Sequence, residues 1–520
     1  MVKMKLRRIR KEKPAKIMGE KSIVGLDIVY PVIPPYAFAN IKYVEEEKNL
    51  VYFVIEPTLA ESEKRILKKI ENIMIEILDV NFFGIRKKGK AKEYMEHKIE
   101  EIIREYEIEV PEKSKGKIKY YIIRDFVGFG KIDVLMNDPN LEDISCDGVG
   151  IPIYVVHRNY GSIRTNVSFE DSDELDSFVI KLAQWCGRHI SVAEPLLDGA
   201  LPDGSRVQAT FGSDVTKKGS TFSIRKFREI PMTPLDLIEN NTADSIMMAY
   251  LWFAIENRAS ILISGGTATG KTTMLNALSL FIRPEFKIVS IEDTPELNLP
   301  HEHWIPAVAR PGYGPPELTG ERYGEVTMFD LLKSALRQRP DYIIVGEVRG
   351  KEAFVLFQGM ATGHAGLATI HADSVESLIQ RLTTPPINLS PSLLQALDII
   401  LFLTHARVKE KPARRVSQVV EITGITPEGE IETGEVFRWH VREDIFEFTG
   451  RSKILSELVE TRGELSVWLS ETEIWQEIET RKSILEWMIK KGIRDYESFT
   501  KTIMEFYRDR ENFLKKIERG

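Results

Sequence analysis

Apolar residues recur along this chain with two periods, and the changes of period divide it. Between Ile23 and Glu56 the pattern is strand-like, broken at Pro34-Pro35. Asn40–Val44 and Leu50–Ile55 predict a hairpin closed over Glu45–Asn49. Thr58 and Glu61 then have capping-box spacing. In the helix they would open, Ile66, Ile70, Ile73 and Ile77 form one stripe, with Leu67, Met74 and Leu78 beside it. The charge-rich stretch 86–119 predicts a helix between Tyr94 and Tyr106, then a linker from Pro111 to Lys119.

A second unit begins near Tyr120. It offers a strand at Ile153–Val156, a turn at Asn159-Tyr160-Gly161 and a helix around Leu175–Trp185. The Pro202-Asp203-Gly204 turn precedes Arg206-Val207-Gln208, and Thr221–Arg225 alternates like a strand. This mixture predicts an α+β domain ending at a hinge, Pro231–Pro234. From Leu235 strands and helices alternate, with candidate strands at 260–264, 287–292, 342–346, 366–371 and 398–403. That order predicts a mainly parallel α/β sheet that takes its ligand at the C-terminal edge. Beyond Ser452 the chain reads as helical and charged, with Trp468, Trp475 and Trp487 as packing residues. The expected division is therefore a tail at 1–22, an N-terminal α/β domain with helical linker at 23–119 and an α+β domain at 120–230. A hinge at 231–235 and an α/β domain with a helical tail at 236–520 complete it.

Composition narrows the class of protein. With 43% hydrophobic and 29% charged residues, 520 residues are enough for several globular cores. A net charge of −7 and a pI near 5.9 speak against a generally basic nucleic-acid binder, and no nucleic-acid partner is expected. No apolar run approaches the length of a membrane span, and the basic N-terminus lacks the apolar segment of a secretory signal. Cys146 and Cys186 alone build no disulfide framework, which points to a reducing cytoplasm. In the first 16 residues Lys3, Lys5, Arg7, Arg8, Arg10, Lys11, Lys13 and Lys16 face only Glu12, a flexible tail suited to an acidic partner or a membrane surface.

The most informative chemistry lies in Gly265-Gly266-Thr267-Ala268-Thr269-Gly270-Lys271-Thr272, followed by Thr273. This is G-x-x-x-x-G-K-[ST], the P-loop, with an apolar strand before it. After it comes a helical face of Met274, Leu275, Leu278, Phe281 and Ile282. Backbone N–H groups and the helix dipole would converge on phosphate, Lys271 would reach the β/γ-phosphates, and the Thr272 hydroxyl would ligate Mg²⁺. A nucleotide is the expected ligand. The strand Ile288–Ile291 runs into Glu292-Asp293-Thr294-Pro295-Glu296, placing acids where they could orient water or the outer ligands of Mg²⁺. Tyr342–Val345 runs into Gly346-Glu347 and resembles a Walker B strand with Glu in the Asp place, a carboxylate that would hold Mg²⁺ through water. His364 and His371 flank another predicted strand and could donate to a γ-phosphate. His301 and His303 form H-x-H, but with no Cys or third His nearby a metal site is not expected there.

These motifs, together with Arg337-Gln338-Arg339-Pro340-Asp341 and Gly346-Glu347-Val348-Arg349, occur in an order that resembles the secretion ATPase superfamily. That superfamily powers type II secretion, type IV pili and archaella. The likeness extends to Asp203-Gly204-Ser205-Arg206 and Ser223-Ile224-Arg225-Lys226-Phe227, and so covers about residues 120–405. The segment Pro300-His301-x-x-Trp304 and the opening Tyr36…Val54-Ile55-Glu56-Pro57 look more like the archaeal branch.

The resemblance implies a hexameric ring of RecA-like P-loop NTPase domains, each hinged to a PAS-like domain, with ATP between the two. It implies that Glu296 positions the attacking water, Glu347 supports Mg²⁺, His371 reads the γ-phosphate, and Arg206 and Arg225 stabilise charge. Glu292, Asp293, His364, Arg337, Arg339 and Arg349 would support them. The implied partners are a polytopic membrane platform protein and, indirectly, filament or pseudopilin subunits, with the ring in the cytoplasm at the inner face of the membrane. Two features depart from the family pattern. A tetracysteine zinc module cannot be built from two cysteines, so no zinc is expected, and Arg349-Gly350 stands where Arg-Asp is common. Other functions to weigh are an archaellum motor, a DNA-translocating conjugation-type ATPase, which would want a basic channel, and a non-hydrolysing scaffold, which would want Lys271 or Glu347 lost.

Overall fold

The computed structural model describes residues 23–77, 88–227, 231–310, 312, 322–408, 411–427, 429–449, 452–462 and 469–518. The basic tail and Trp468 lie outside them. The chain divides into two compact units between Phe227 and Arg228.

The first unit contains a nine-stranded sheet. Its strands are β1 (Asp27–Ile33), β2 (Ala37–Val44), β3 (Asn49–Ile55), β4 (Leu141–Cys146), β5 (Pro152–His157), β6 (Gly161–Ser168), β7 (Leu196–Ala200), β8 (Arg206–Thr210) and β9 (Thr221–Arg225), in the order β1-β2-β3-β6-β5-β4-β9-β8-β7. Four helices complete the first part of the unit: α1 (Glu61–Ile77), α2 (Lys88–Glu105), α3 (Glu112–Phe126) and α4 (Asp133–Asn137). A fifth, α5 (Ser172–Trp185), buries Leu175, Phe178, Val179 and Leu182 against the sheet's core. The hairpin expected at 40–55 is β2–β3. All pairs are antiparallel except β3 with β6, where only Val51↔Arg164 and Tyr52↔Thr165 are in register.

Three expectations change here. The division at 119/120 is not a break, because β1–β3 continue the same sheet as β4–β9. The linker expected from Pro111 to Lys119 is helix α3, whose Ile118 and Ile122, one turn apart, are fully buried with Ile70, Met74, Met95 and Ile99. Finally, Thr58 does not cap α1. The Ala60 N–H donates to the Glu63 carboxylate at 2.7 Å, so the cap sits two residues further on.

The second unit opens with α6 (Pro234–Glu239) and α7 (Ser245–Glu256). Its parallel strands are β10 (Ile261–Gly265), β11 (Ile288–Glu292), β12 (Trp304–Val308), β13 (Tyr342–Val345), β14 (Ala365–Ile370) and β15 (Ile399–Val408). They alternate with α8 (Lys271–Ser279), α9 (Met328–Leu336), α10 (Glu352–Ala361), α11 (Val375–Thr383) and α12 (Pro391–Leu394). Three antiparallel strands extend the sheet, β16 (Lys411–Ile425), β17 (Ile431–His440) and β18 (Ile445–Phe448), giving the order β12-β11-β13-β14-β10-β15-β16-β17-β18. Helices α13 (Ile454–Arg462), α14 (Glu471–Lys490), α15 (Tyr496–Arg508) and α16 (Arg510–Glu518) follow.

The five strands expected from periodicity are β10, β11, β13, β14 and β15. Every residue of the first four is buried because both faces are covered. Alternation splits them between two cores: Ile261 and Ile263 point to one, Leu262 to the other. The result is the α/β arrangement expected of a RecA-like P-loop domain, with β10 between β14 and β15. Among the described residues no helix is long and apolar enough to cross a membrane.

Candidate functional site

The site is built where β10, β11, β13 and β14 all end. Strand β10 delivers the chain into the P-loop at Gly265, where φ is +154° and an added Cβ would stand 2.5 Å from the carbonyl oxygen of Leu403 on β15. Only glycine allows that close approach. The loop closes at Gly270, left-handed at φ +95°, which is the N-cap of α8. The first N–H groups of α8 therefore have no carbonyl before them within the helix and face the loop.

Lys271 is the first residue of that helix. Its Nζ donates to the carbonyls of Gly265 (3.0 Å) and Gly266 (2.7 Å) and lies 3.2 Å from Nδ1 of His371, just past β14. On the other side of that ring, Nε2 is 3.1 Å from Oε1 of Glu347, just past β13. Oε2 of Glu347 accepts from Arg349 Nη2 at 2.5 Å, and Arg349 Nη1 is 3.8 Å from Asp293, just past β11. Because Lys271 can only donate, Nδ1 must accept, and the His371 proton sits on Nε2 facing Glu347. Burial and the neighbouring Lys271 ammonium hold His371 below its ordinary pKa, so the ring is neutral near pH 7. Burial also lowers Lys271, against the pull of Glu347. For Glu347 burial pushes upward, but Arg349, His371 and Lys271 together outweigh it and keep the carboxyl ionised.

Behind this relay, Glu292 is buried at the end of β11. Its Oε1 accepts from the N–H groups of Glu296 (2.9 Å) and Leu297 (3.1 Å), which shapes the loop that presents the exposed Glu296. Burial raises its carboxyl to about 7, in spite of those two donors. The donor set fits a nucleoside polyphosphate with Mg²⁺: a loop ammonium, the Thr272 hydroxyl one residue on, backbone N–H groups of a helix start, and the Glu347 carboxylate.

Several expected residues stand elsewhere. His364 precedes β14 and contacts the Gly359 carbonyl and Thr362, at the opposite end of a six-residue strand from His371. About 20 Å of extended backbone separates the two histidines, so within this chain His364 does not face the phosphate loop. Arg337 and Arg339 are exposed at the C-terminal end of α9, ahead of β13 and so at the opposite sheet edge from Glu347. Arg206 and Arg225 belong to the first unit. They are cross-strand partners on β8 and β9, and each pairs with a carboxylate of its own sheet, Asp198 at 3.1 Å and Asp143 at 3.3 Å. His301 is buried with Nε2 2.8 Å from the Ile282 carbonyl, and among the described residues no group of three His, Cys, Asp or Glu could hold a metal ion.

Two residues at the site escape sequence reading. Arg381, on α11, donates to the His371 carbonyl at 3.1 Å and lines, with Gly265, Gly266, His371, Ser377 and Gln380, an open cavity of about 440 Å³. Arg414, on β16, donates from Nε to the Ala268 carbonyl at 3.1 Å. No motif marks either; only the pairing of α11 and β16 with the loop brings them in.

The model of the family "type II/IV secretion system protein" matches residues 151–504. An uncharacterized protein of Methanocaldococcus jannaschii is 38% identical over 505 residues, covering 92% of this chain and 89% of that one. The type IV secretion system protein PtlH of Bordetella pertussis is 34% identical over 236 residues, 41% of this chain and 67% of that protein. Among solved structures, the Legionella pneumophila ATPase DotB is 17% identical, covers 72% of this chain and 94% of its own, and has a TM-score of 0.39. The family model and the near full-length archaeal relative place the assignment on sequence: this chain belongs to the type II/IV secretion system protein family.

Proposed function

We propose that this chain is an ATP-hydrolysing motor subunit. It works as a homohexamer at the inner face of the membrane, acting through a polytopic platform protein to assemble a type IV pilus-like filament or secretion apparatus. The observation that supports the chemistry is the unbroken chain Lys271–His371–Glu347–Arg349 joined to the P-loop. A γ-phosphate would compete with His371 and two loop carbonyls for the Lys271 ammonium. Nucleotide arrival is then felt at Glu347 one hydrogen bond later.

Mg²⁺, held by the Thr272 hydroxyl and through water by Glu347, would neutralise charge on the β/γ-phosphates. Lys271 holds the same oxygens from the loop side. His371, freed from Lys271, can turn a ring N–H to the γ-phosphate while Arg349 keeps Glu347 ionised. Glu296, on the loop braced by Glu292, is proposed to orient the water that attacks the γ-phosphorus. The P–O bond to ADP breaks, and the water's proton leaves with the orthophosphate. Arg206 and Arg225 are proposed to stabilise charge on the transferring phosphoryl group.

Turnover and nucleotide binding measured side by side test this reading. Lys271→Ala should lose both. Glu347→Gln should bind ATP and fail to turn it over. Arg206→Ala and Arg225→Ala should keep binding and lose roughly 10³-fold or more in rate, the scale of an arginine acting on a phosphoryl group. Wild-type rates in Glu347→Gln would rule out the proposed Mg²⁺ ligand.

A further inference from the structure

Strand β16 carries Arg414 and Arg415 side by side, and a strand sends neighbours to opposite faces. Arg415 is buried and structural. Its guanidinium grips Asp444 at 2.7 and 2.9 Å and donates to the Asn240 carbonyl. Arg414 is exposed and turns to the P-loop instead. Besides its Nε bond to Ala268, its Cδ stands 3.5 Å from where a Cβ on Gly270 would be, so its stem lies along the turn that opens α8.

The sheet order gives the phosphate site two ends. Lys271 Nζ, His371 and Glu347 mark one end, on the β14 and β13 side of β10. Those groups serve the β/γ-phosphates, as the lysine of a P-loop does. Strand β15, and β16 beyond it, lie on the other side of β10, and Arg414 arrives from there. The backbone N–H groups of Gly270–Thr272 between the two ends cradle the α/β portion. We infer that Arg414 is a nucleotide-binding residue. With Nε fixed on the Ala268 carbonyl, its two terminal nitrogens are presented to the α-phosphate end of a bound nucleotide, opposite the γ-sensing end. The inference rests on the ATPase reading above.

Affinities for ADP and for the slowly hydrolysed analogue ATPγS, measured by calorimetry on the full chain, decide it. Arg414→Met keeps the stem and loses the charge. Arg414→Gln also loses the charge but can still donate to the Ala268 carbonyl. Both variants should bind ADP and ATPγS about tenfold more weakly, and by the same factor for each, as expected for one charge-assisted contact common to both nucleotides. Wild-type affinity in Arg414→Gln would mean the residue only shapes the loop, and would overturn the inference. A loss confined to ATPγS would place it at the γ end, with the same consequence. Wild-type protein that binds neither nucleotide would instead bring down the ATPase reading, since that measurement does not depend on Arg414.

Discussion

Glu292 is a carboxyl whose charge the fold resists. Its carboxyl is raised by burial from an ordinary value near 4.5 to about 7, while its oxygen carries two backbone donors. The folded state therefore keeps a proton that the unfolded chain releases between those values, so stability falls as pH rises through that window and levels off above it. Glu292→Gln keeps an accepting oxygen for Glu296 and Leu297 and removes the titration. The variant should gain on wild type by up to about 3 kcal/mol between pH 5 and pH 8, at about 1.4 kcal/mol per unit. Urea unfolding at the two pH values checks this, and an unchanged gap would mean Glu292 does not titrate in that window. A carboxylate placed for bracing rather than for comfort is the kind of local cost that functional loops carry.

Among the elements, α14 is fixed to α7 by one buried arginine. Arg481 is 1% exposed, reaches Glu256 at 2.5 Å and Glu477 at 2.8 Å, and lies over the rings of Trp252, Phe253 and Phe506. Trp252 in turn stacks on Phe281, and Tyr507 bridges the Trp252 indole to the Phe281 carbonyl just beyond α8. Arg481→Leu leaves Glu256 without its cation and should cost about 3–5 kcal/mol. Adding Glu256→Leu should recover part of that in thermal unfolding, and an equally unstable double variant would contradict the ion-pair account. None of this shows in the sequence, where Arg481 sits in a charged helix and reads as solvated. In the second unit the legible strands are those with both faces covered over most of their length, because burial leaves continuous apolar runs, whereas β2, β3, β5 and β9 of the first unit were legible from alternation or short apolar runs between turns. Strand β12 was not, since Pro306 interrupts it and, among the described residues, it is an edge strand paired with β11. The antiparallel strands β16–β18 mix charges into half-exposed ladders, so Arg414 could not be assigned to a strand facing the loop. Helix α3 was hidden by Gly116, a poor helix former that stands where the Tyr36 hydroxyl packs against it. The P-loop, Glu347 and His371 do come together, because each stands just past the C-terminal end of its own strand, a position that the local pattern of strand and motif gives. His364, Arg337 and Arg339 stand away from the phosphate loop within this chain, because a motif gives proximity along the chain but not which end of a strand a residue occupies.

For the molecule as a whole, the first unit's sheet is two pieces sewn along a short line. Between β3 and β6 only two residue pairs are in register, and beyond them the Asn166 side chain takes over, donating to the Val54 carbonyl at 3.2 Å and accepting from its N–H at 2.8 Å. Tyr30 and Tyr52 reinforce the join by donating to the same oxygen of Asp138, each at 2.6 Å. Such a join opens before the ladders on either side of it, because so few backbone bonds must break together. In hydrogen–deuterium exchange the meander β1–β3 should thus lose protection as one cooperative block, ahead of β4–β9 and independently of β10–β15. Asn166→Ala should speed that block alone by roughly tenfold, whereas uniform exchange across the nine strands would show that they unfold together. A protease probing the native protein would find the same line, and would release the meander with α1–α3 as an early fragment.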